Sequence, residues 1–271
     1  MSFQGLAFAF GLTLLAGLAT GVGSALAFFT KRTNTRFLSG ALGFSAGVMI
    51  YVSMIEIFAK ARYSLELEMG ASKGYLYTTL AFFGGMLLIG LIDWLVPSYH
   101  DPHEPKLVEE VEESSEAIQK KEELKRMGLF SALAIAIHNF PEGLAAFTSA
   151  LKDPSIGMSI AVAIAIHNIP EGIAVSIPFF YATGSRRKAF VLSFLSGLSE
   201  PLGALVGYFL FSRFFNEAFF GLLFASVSGI MVFISFDELL PTAEKYGEHH
   251  IAVYGVFSGM VVMALSLLLF S

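Results

Sequence analysis

Cysteine is absent from this 271-residue chain, which excludes disulfides, thiolate metal sites and thiol catalysis. Charge is scarce: Asp, Glu, Lys and Arg make up 14% of residues, against about 25% in an ordinary soluble domain. There is no basic patch, so nucleic acid is excluded as a partner. No basic residue precedes the first apolar run, and that run, residues 5–29, is too long for the core of a cleavable signal. The formal charge of −5 says little about partners, because nine of the 22 acids lie between residues 101 and 123.

What is present is apolar. Hydrophobic residues make up 55% of the chain, and several runs exceed the ~20 residues needed to cross a hydrocarbon core of ~30 Å. Runs such as 256–270 do not alternate as barrel strands would. The fold class is therefore all-α, a polytopic membrane helical bundle. We read residues 1–271 as a single transmembrane domain with eight spans, at about 3–29, 37–59, 75–98, 128–151, 156–182, 189–212, 218–241 and 251–270. The charged stretch 99–127 reads as a cytoplasmic loop that is mobile or partly helical. With the N-terminus outside, the inner loops hold 12 Lys and Arg residues and the outer loops five. The positive-inside rule then places both termini outside. Gly17, Gly21, Ser24, Gly40, Gly43, Gly47, Gly84 and Gly85 are read as close-packing positions between helices.

Ionisable residues inside a membrane are costly and mark function by default. Here they are Glu56, Asp93, His138, Glu142, His167, Glu171, Glu200, Asp237 and Glu238, and no Lys or Arg lies inside the spans to pair with them. Acids without a protein cation need protons or a bound cation. Two segments repeat: residues 133–147 read LAIAIHNFPEGLAAF and residues 162–176 read VAIAIHNIPEGIAVS, offset by 29 residues. One span plus one turn separates them, so the copies run antiparallel, which implies a local two-fold axis in the membrane plane. Inverted pairs of this kind, with a site near the midplane, are a transporter signature.

Within each copy the His and Glu are four residues apart and the Asn and Glu three apart, so all three share a helix face. Imidazole nitrogen, amide oxygen and carboxylate suit Zn²⁺, Fe²⁺, Mn²⁺ or Co²⁺. Pro141 and Pro170 free the carbonyls of Ile137 and Ile166 and predict a break in each helix. Glu200, before Pro201 in SGLSEPLGAL, reads as a further metal ligand beside another break. Met49, Ser53 and Glu56 share a face of the second span and are candidates for a pathway. Asp237 and Glu238 fit either an inner exit or a wet interface. His100 and His103, with Asp101 and Glu104, form a small ligand-rich cluster in the loop.

HNFPEG followed by HNIPEG resembles the ZIP (ZRT/IRT-like) divalent metal transporters, in particular their bacterial ZupT-like branch, over essentially the whole chain. That resemblance implies eight spans, outside termini and a binuclear metal centre between the fourth and fifth spans. Carried over, the ligands are His138, Asn139 and Glu142 from the first motif and His167, Asn168 and Glu171 from the second. Glu200 sits where relatives place a sixth-span ligand, and Met49, in GFSAGVM, matches a second-span residue near the centre in some of them. Asp237–Glu238 stands where some relatives carry His–Glu, a departure that leaves an inner site open.

The expected function is a divalent cation importer in the bacterial inner (plasma) membrane, carrying zinc with broader acceptance of Fe²⁺, Mn²⁺, Co²⁺ and Cd²⁺ by alternating access. The metal is cargo; no prosthetic group and no enzymatic step are expected. Partners are divalent metal ions and membrane lipid, with a homodimer admitted. The rival class is a membrane-embedded metal-dependent hydrolase. Its ligands are compatible, but the order here is H-x-x-x-E rather than HExxH, and no general base is left once both carboxylates bind metal. Metal preference order, proton coupling and oligomeric state are open at this stage.

Overall fold

Local chemistry sets where the helices stop. Asp153 caps a helix by accepting from the Ser155 and Ile156 amides at 2.9 and 3.4 Å, and Pro154 follows in the first helical position, where its missing N–H costs nothing. The Ser155 hydroxyl, and then these amides, hold the Asp153 carboxyl below its ordinary range. Gly184, at φ 64°, closes the far end of that helix and donates its amide to the Phe180 carbonyl, the left-handed stop that glycine takes without strain. Ser185 caps the helix that begins at Arg186 through the Lys188 amide, and Asn216 caps the one that begins at Glu217 through the Phe219 amide.

The computed structural model describes residues 3–27, 35–95, 117–214, 216–246 and 249–270. They are all-α, with no strand among them. The helices are α1 (Phe3–Ala27), α2 (Thr35–Tyr51), α3 (Phe58–Met69), α4 (Ala71–Leu95), α5 (Ala117–Lys152), α6 (Pro154–Thr183), α7 (Arg186–Gly197), α8 (Ser199–Phe211), α9 (Glu217–Ile234), α10 (Leu240–Tyr246) and α11 (His249–Phe270). A π-helical turn, Val52–Ile57, joins α2 to α3, and a second, Ser235–Leu239, joins α9 to α10. A single non-helical residue, Leu198, separates α7 from α8. The described residues thus form eight rods: α1, α2–α3, α4, α5, α6, α7–α8, α9–α10 and α11.

Among the described residues, seven stretches are long and apolar enough to cross a membrane: 3–25, 39–69, 71–92, 154–173, 186–210, 217–244 and 249–269. The eighth rod, α5, is 36 residues long and carries the first motif. The helices overrun the sequence reading in two places. Residues 60–74, read as a connection, are helical except for Gly70, and α5 begins at Ala117, inside the charged stretch. The rest of that stretch, including His100 and His103, lies outside the described residues.

The burial pattern is that of a protein dissolved in lipid. Leu76, Leu80, Phe83, Leu87, Leu91 and Trp94 form an exposed apolar stripe along α4. Meanwhile Thr13, Thr20, Ser24, Ser45, Ser53, Ser193 and Ser228 are buried. Water would penalise such a stripe, whereas hydrocarbon accepts it and forces polar groups to pair internally.

Packing divides the rods into two groups. In one, α1, α5, α6, α7 and α8 pack on one another; in the other, α2 packs on α10 and α11, and α3, α4 and α9 pack together. The groups meet where α2 lies on α6 and α5 on α9. Close approach depends on glycine: a Cβ on Gly17 would strike the Gly197 carbonyl, on Gly43 the Ala252 backbone and on Gly85 the Ser226 backbone. Gly84 departs from the packing reading, since it faces open space.

Candidate metal centre

Three helices of the first group bring the expected ligands inward. Asn139 and Glu142 come from α5, His167, Asn168 and Glu171 from α6, and Glu200 from the first turn of α8. All six are at most 5% exposed. The His138 side chain lies outside the described part of the structure. The prolines do not break these helices as expected: Pro141 lies inside continuous α5, and Pro170 inside continuous α6. Dense packing on both sides holds the helical backbone despite each missing N–H. The break occurs instead before Pro201, at Leu198, and it sets Glu200 in the first turn of α8.

Two polar contacts organise the site. His167 Nε2 lies 3.2 Å from Glu142 Oε2, joining α6 to α5. Asn168 Nδ2 donates to the Ala16 carbonyl of α1 at 2.9 Å and also to Glu200 Oε1 of α8. An amide has two N–H donors, so both are committed and the orientation of Asn168 is set. Its Oδ1 is buried without a partner, and so is Glu200 Oε2. Among the described residues, both amide atoms of Asn139, His167 Nδ1 and Glu171 Oε2 are also buried without a partner, as are the hydroxyls of Thr20, Ser39, Ser53 and Ser149. Among the described residues no lysine or arginine pairs with Glu142, Glu171 or Glu200.

Unpartnered buried polar atoms are expensive, and several carboxylates with no protein cation compound the cost. The set is rich in acceptors and in nitrogen and oxygen donors to a cation, which is what a borderline or hard divalent ion uses. Among the described residues, no three imidazole or carboxylate groups converge closely enough to hold an ion alone. The amide oxygens of Asn139 and Asn168 are therefore the remaining donors in that set.

The backbone around the ligands is anchored by serines that the sequence does not assign to the site, Ser24 being read there only as a close-packing position. The Gly172 carbonyl, next to Glu171, accepts from Ser24 of α1 and Ser193 of α7, each at 3.2 Å. Ser45 of α2 donates to the His167 carbonyl at 3.5 Å. The glycine that ends each motif is a contact point: a Cβ on Gly143 would overlap the Glu200 backbone, and one on Gly172 the Thr20 carbonyl. The only signal in the sequence was small-residue composition, which does not distinguish packing from anchoring.

The remaining candidates are placed differently. Met49 is fully buried, within the main apolar core. Glu56 sits in the first π turn and Asp237 with Glu238 in the second. A π turn adds a residue to the helical circuit, so Glu56 leaves the Met49–Ser53 face that strict α-helical spacing predicts. Ser53 is buried, whereas Glu56 keeps 22% side-chain exposure. The expectation that Glu56 has no lysine to pair with is also corrected. Because the helix continues to Met69, Lys60 falls one turn beyond Glu56 and places Nζ 3.3 Å from Oε1. Asp237 is exposed and Glu238 half-buried.

Comparison with known proteins places the whole chain in a family. Residues 95–267 match the family model described as ZIP zinc transporter. The chain is 64% identical over 263 residues to the zinc transporter ZupT of Chlorobaculum parvum, covering 97% of each protein. It is 64% identical to the protein of that name from Nitratidesulfovibrio vulgaris, covering 97% of this chain and 96% of that one. For Lysinibacillus sphaericus the identity is 62%, over 96% of this chain and 97% of its relative. The buried motif pair, the helical membrane bundle and these full-length matches together establish that the chain belongs to the ZIP zinc transporter family.

Proposed function

We propose that this protein imports zinc across the bacterial plasma membrane through a binuclear intramembrane centre. The observation that carries the reading is the committed amide of Asn168. With both N–H donors used, its Oδ1 lies unpartnered in the membrane interior, as does Oε2 of the Glu200 that it holds. Oxygens left unpaired in a buried site carry a penalty that a cation removes. Glu142 with His167, and Asn168 with Glu200, are the nuclei of the two sites. His138, Asn139 and Glu171 complete the ligand set, and Met49 approaches it from the second group of helices.

The zinc is cargo, and the same nitrogen and oxygen donors accept Fe²⁺, Mn²⁺, Co²⁺ and Cd²⁺. Residues 1–271 act as one transmembrane domain with both termini outside. The two motif copies form an inverted pair, and the two groups of helices move against each other to open the centre to either side in turn. No residue is assigned a catalytic role.

Uptake of radioactive zinc into sealed proteoliposomes tests the reading. The wild-type protein accumulates zinc in saturable fashion. Glu200→Gln keeps the shape and removes the charge, so it inserts normally, but its uptake falls at least tenfold, on the order expected when a metal site loses a key group. Unchanged uptake by that variant would show Glu200 to be a packing residue and sink the ligand assignment.

A further inference from the structure

Away from the centre, a cavity of about 500 Å³ opens between the two groups of helices. Tyr51, Glu56 and Lys60 line it from α2, the first π turn and α3, and Asp153, Ser155 and Ser159 from the start of α6. The C-terminal part of α11 supplies an apolar wall. Six waters at about 30 Å³ each give a hexahydrated cation of roughly 200 Å³, so the cavity admits a divalent ion with its water. Its two carboxylates differ. Asp153 is occupied by the Ser155 amide and hydroxyl and by the Ile156 amide, as the cap of α6. Glu56 instead faces a long flexible side chain, Lys60, whose own exposure of 40% leaves it room to swing away.

We propose that Lys60 is a tethered competitor for the transported cation: its ammonium occupies Glu56, the carboxylate that incoming metal engages at this mouth, and so sets the apparent affinity for metal from that side. This rests on the importer reading above. Lysine suits the role because its ammonium is a compact point charge on a flexible stem, able to neutralise a carboxylate and to withdraw without a fixed bidentate geometry. A permanent partner would close the carboxylate to metal, and no partner would leave a partly buried acid without a neutralising charge. A tethered cation avoids both costs. Lys60 is thus a specificity-determining residue for capture, not a ligand of the centre.

The test is the initial rate of zinc uptake by the full-length protein in sealed proteoliposomes, measured against zinc concentration. Lys60→Gln lowers KM about two- to fivefold, the range carried by a partly exposed ion pair, and leaves the maximal rate unchanged. Lys60→Arg keeps the charge and stays at the wild-type KM. Glu56→Gln raises KM, and the double variant behaves as Glu56→Gln alone, because the lysine then has nothing to compete for. Lys60→Met serves as a second neutral variant should Lys60→Gln insert poorly. Active wild-type protein with the same KM in the neutral Lys60 variants overturns the proposal, as does a drop in KM for Lys60→Arg equal to theirs. Absence of saturable zinc uptake by the wild type overturns the importer reading, and this inference with it.

Discussion

The two motif copies are nearly identical in sequence, yet they are held in different ways. On α6, Asn168 spends both N–H donors on Ala16 and Glu200, the His167 carbonyl takes the Ser45 hydroxyl, and the Gly172 carbonyl takes two serine hydroxyls. On α5, both amide atoms of Asn139 are buried without a partner. Among the described side chains, Asn168 is fixed through both donors by its neighbours, whereas Asn139 has no hydrogen-bond partner. Identical residues are therefore held unequally: neighbouring helices, not the motif, decide which asparagine is fixed. Under the proposed function, a fixed and an unfixed asparagine would suit a site that both recognises a cation and releases it, since an ion held rigidly on all sides leaves slowly.

The largest expected effect comes from the glycines that end the copies. Gly143→Val and Gly172→Val each drive a side chain into the backbone of a neighbouring helix, and each costs about 3 kcal/mol or more by overpacking. The milder alanine variants separate the copies. Gly143→Ala displaces Glu200 and weakens zinc binding, whereas Gly172→Ala displaces Thr20 and leaves affinity near wild type in the protein that folds. Calorimetric zinc titration of detergent-solubilised, folded variants decides the matter; equal affinities would erase the distinction between the neighbours of the two glycines.

Next come the asparagines. Asn168→Ala strips a buried carboxylate of its donor and costs about 1–3 kcal/mol of stability. Asn139→Ala removes two unpaired polar atoms, so its metal-free stability shifts by only about 0.5 kcal/mol in either direction. Both lower zinc affinity. Thermal unfolding without metal reads the difference directly, and matched losses for the two variants would mean that the copies are supported alike.

The smallest effect is on the Gly172 anchor. Because two hydroxyls share one carbonyl, Ser24→Ala or Ser193→Ala alone changes stability little, and the double variant costs about 1 kcal/mol. Additive single losses, rather than a loss that appears only in the pair, would show the serines to act independently.

Much of this was legible along the chain because membrane constraints are local. An apolar run of the right length must be helical in lipid, whatever surrounds it. Acids without lysines in such runs need protons or a bound cation. The motif spacing then places His, Asn and Glu on one face of each helix. The eight rods and the buried state of Asn139, Glu142, His167, Asn168, Glu171 and Glu200 follow from those rules. The π turns were not legible, because the sequence around Glu56 and Asp237 is compatible with ordinary α-helix; the Lys60–Glu56 pair was missed with them, since a span read as ending at 59 leaves Lys60 outside. The prolines misled for a related reason: a missing hydrogen bond breaks a helix only when packing does not hold its two sides in line.

The sequence by itself determined the solvent, the fold class, the family and the chemical types gathered at the centre, because each is written in composition or in spacings shorter than one span. Tertiary structure alone decided which polar atoms of the motif residues are hydrogen-bonded and which are left without a partner. Asn168 meets the Ala16 carbonyl 152 residues away, Ser45 meets His167 across 122, and Glu142 meets His167 across 25. Hydrogen bonds are directional and reach only about 3 Å, so they depend on how whole helices approach one another, which no local pattern encodes.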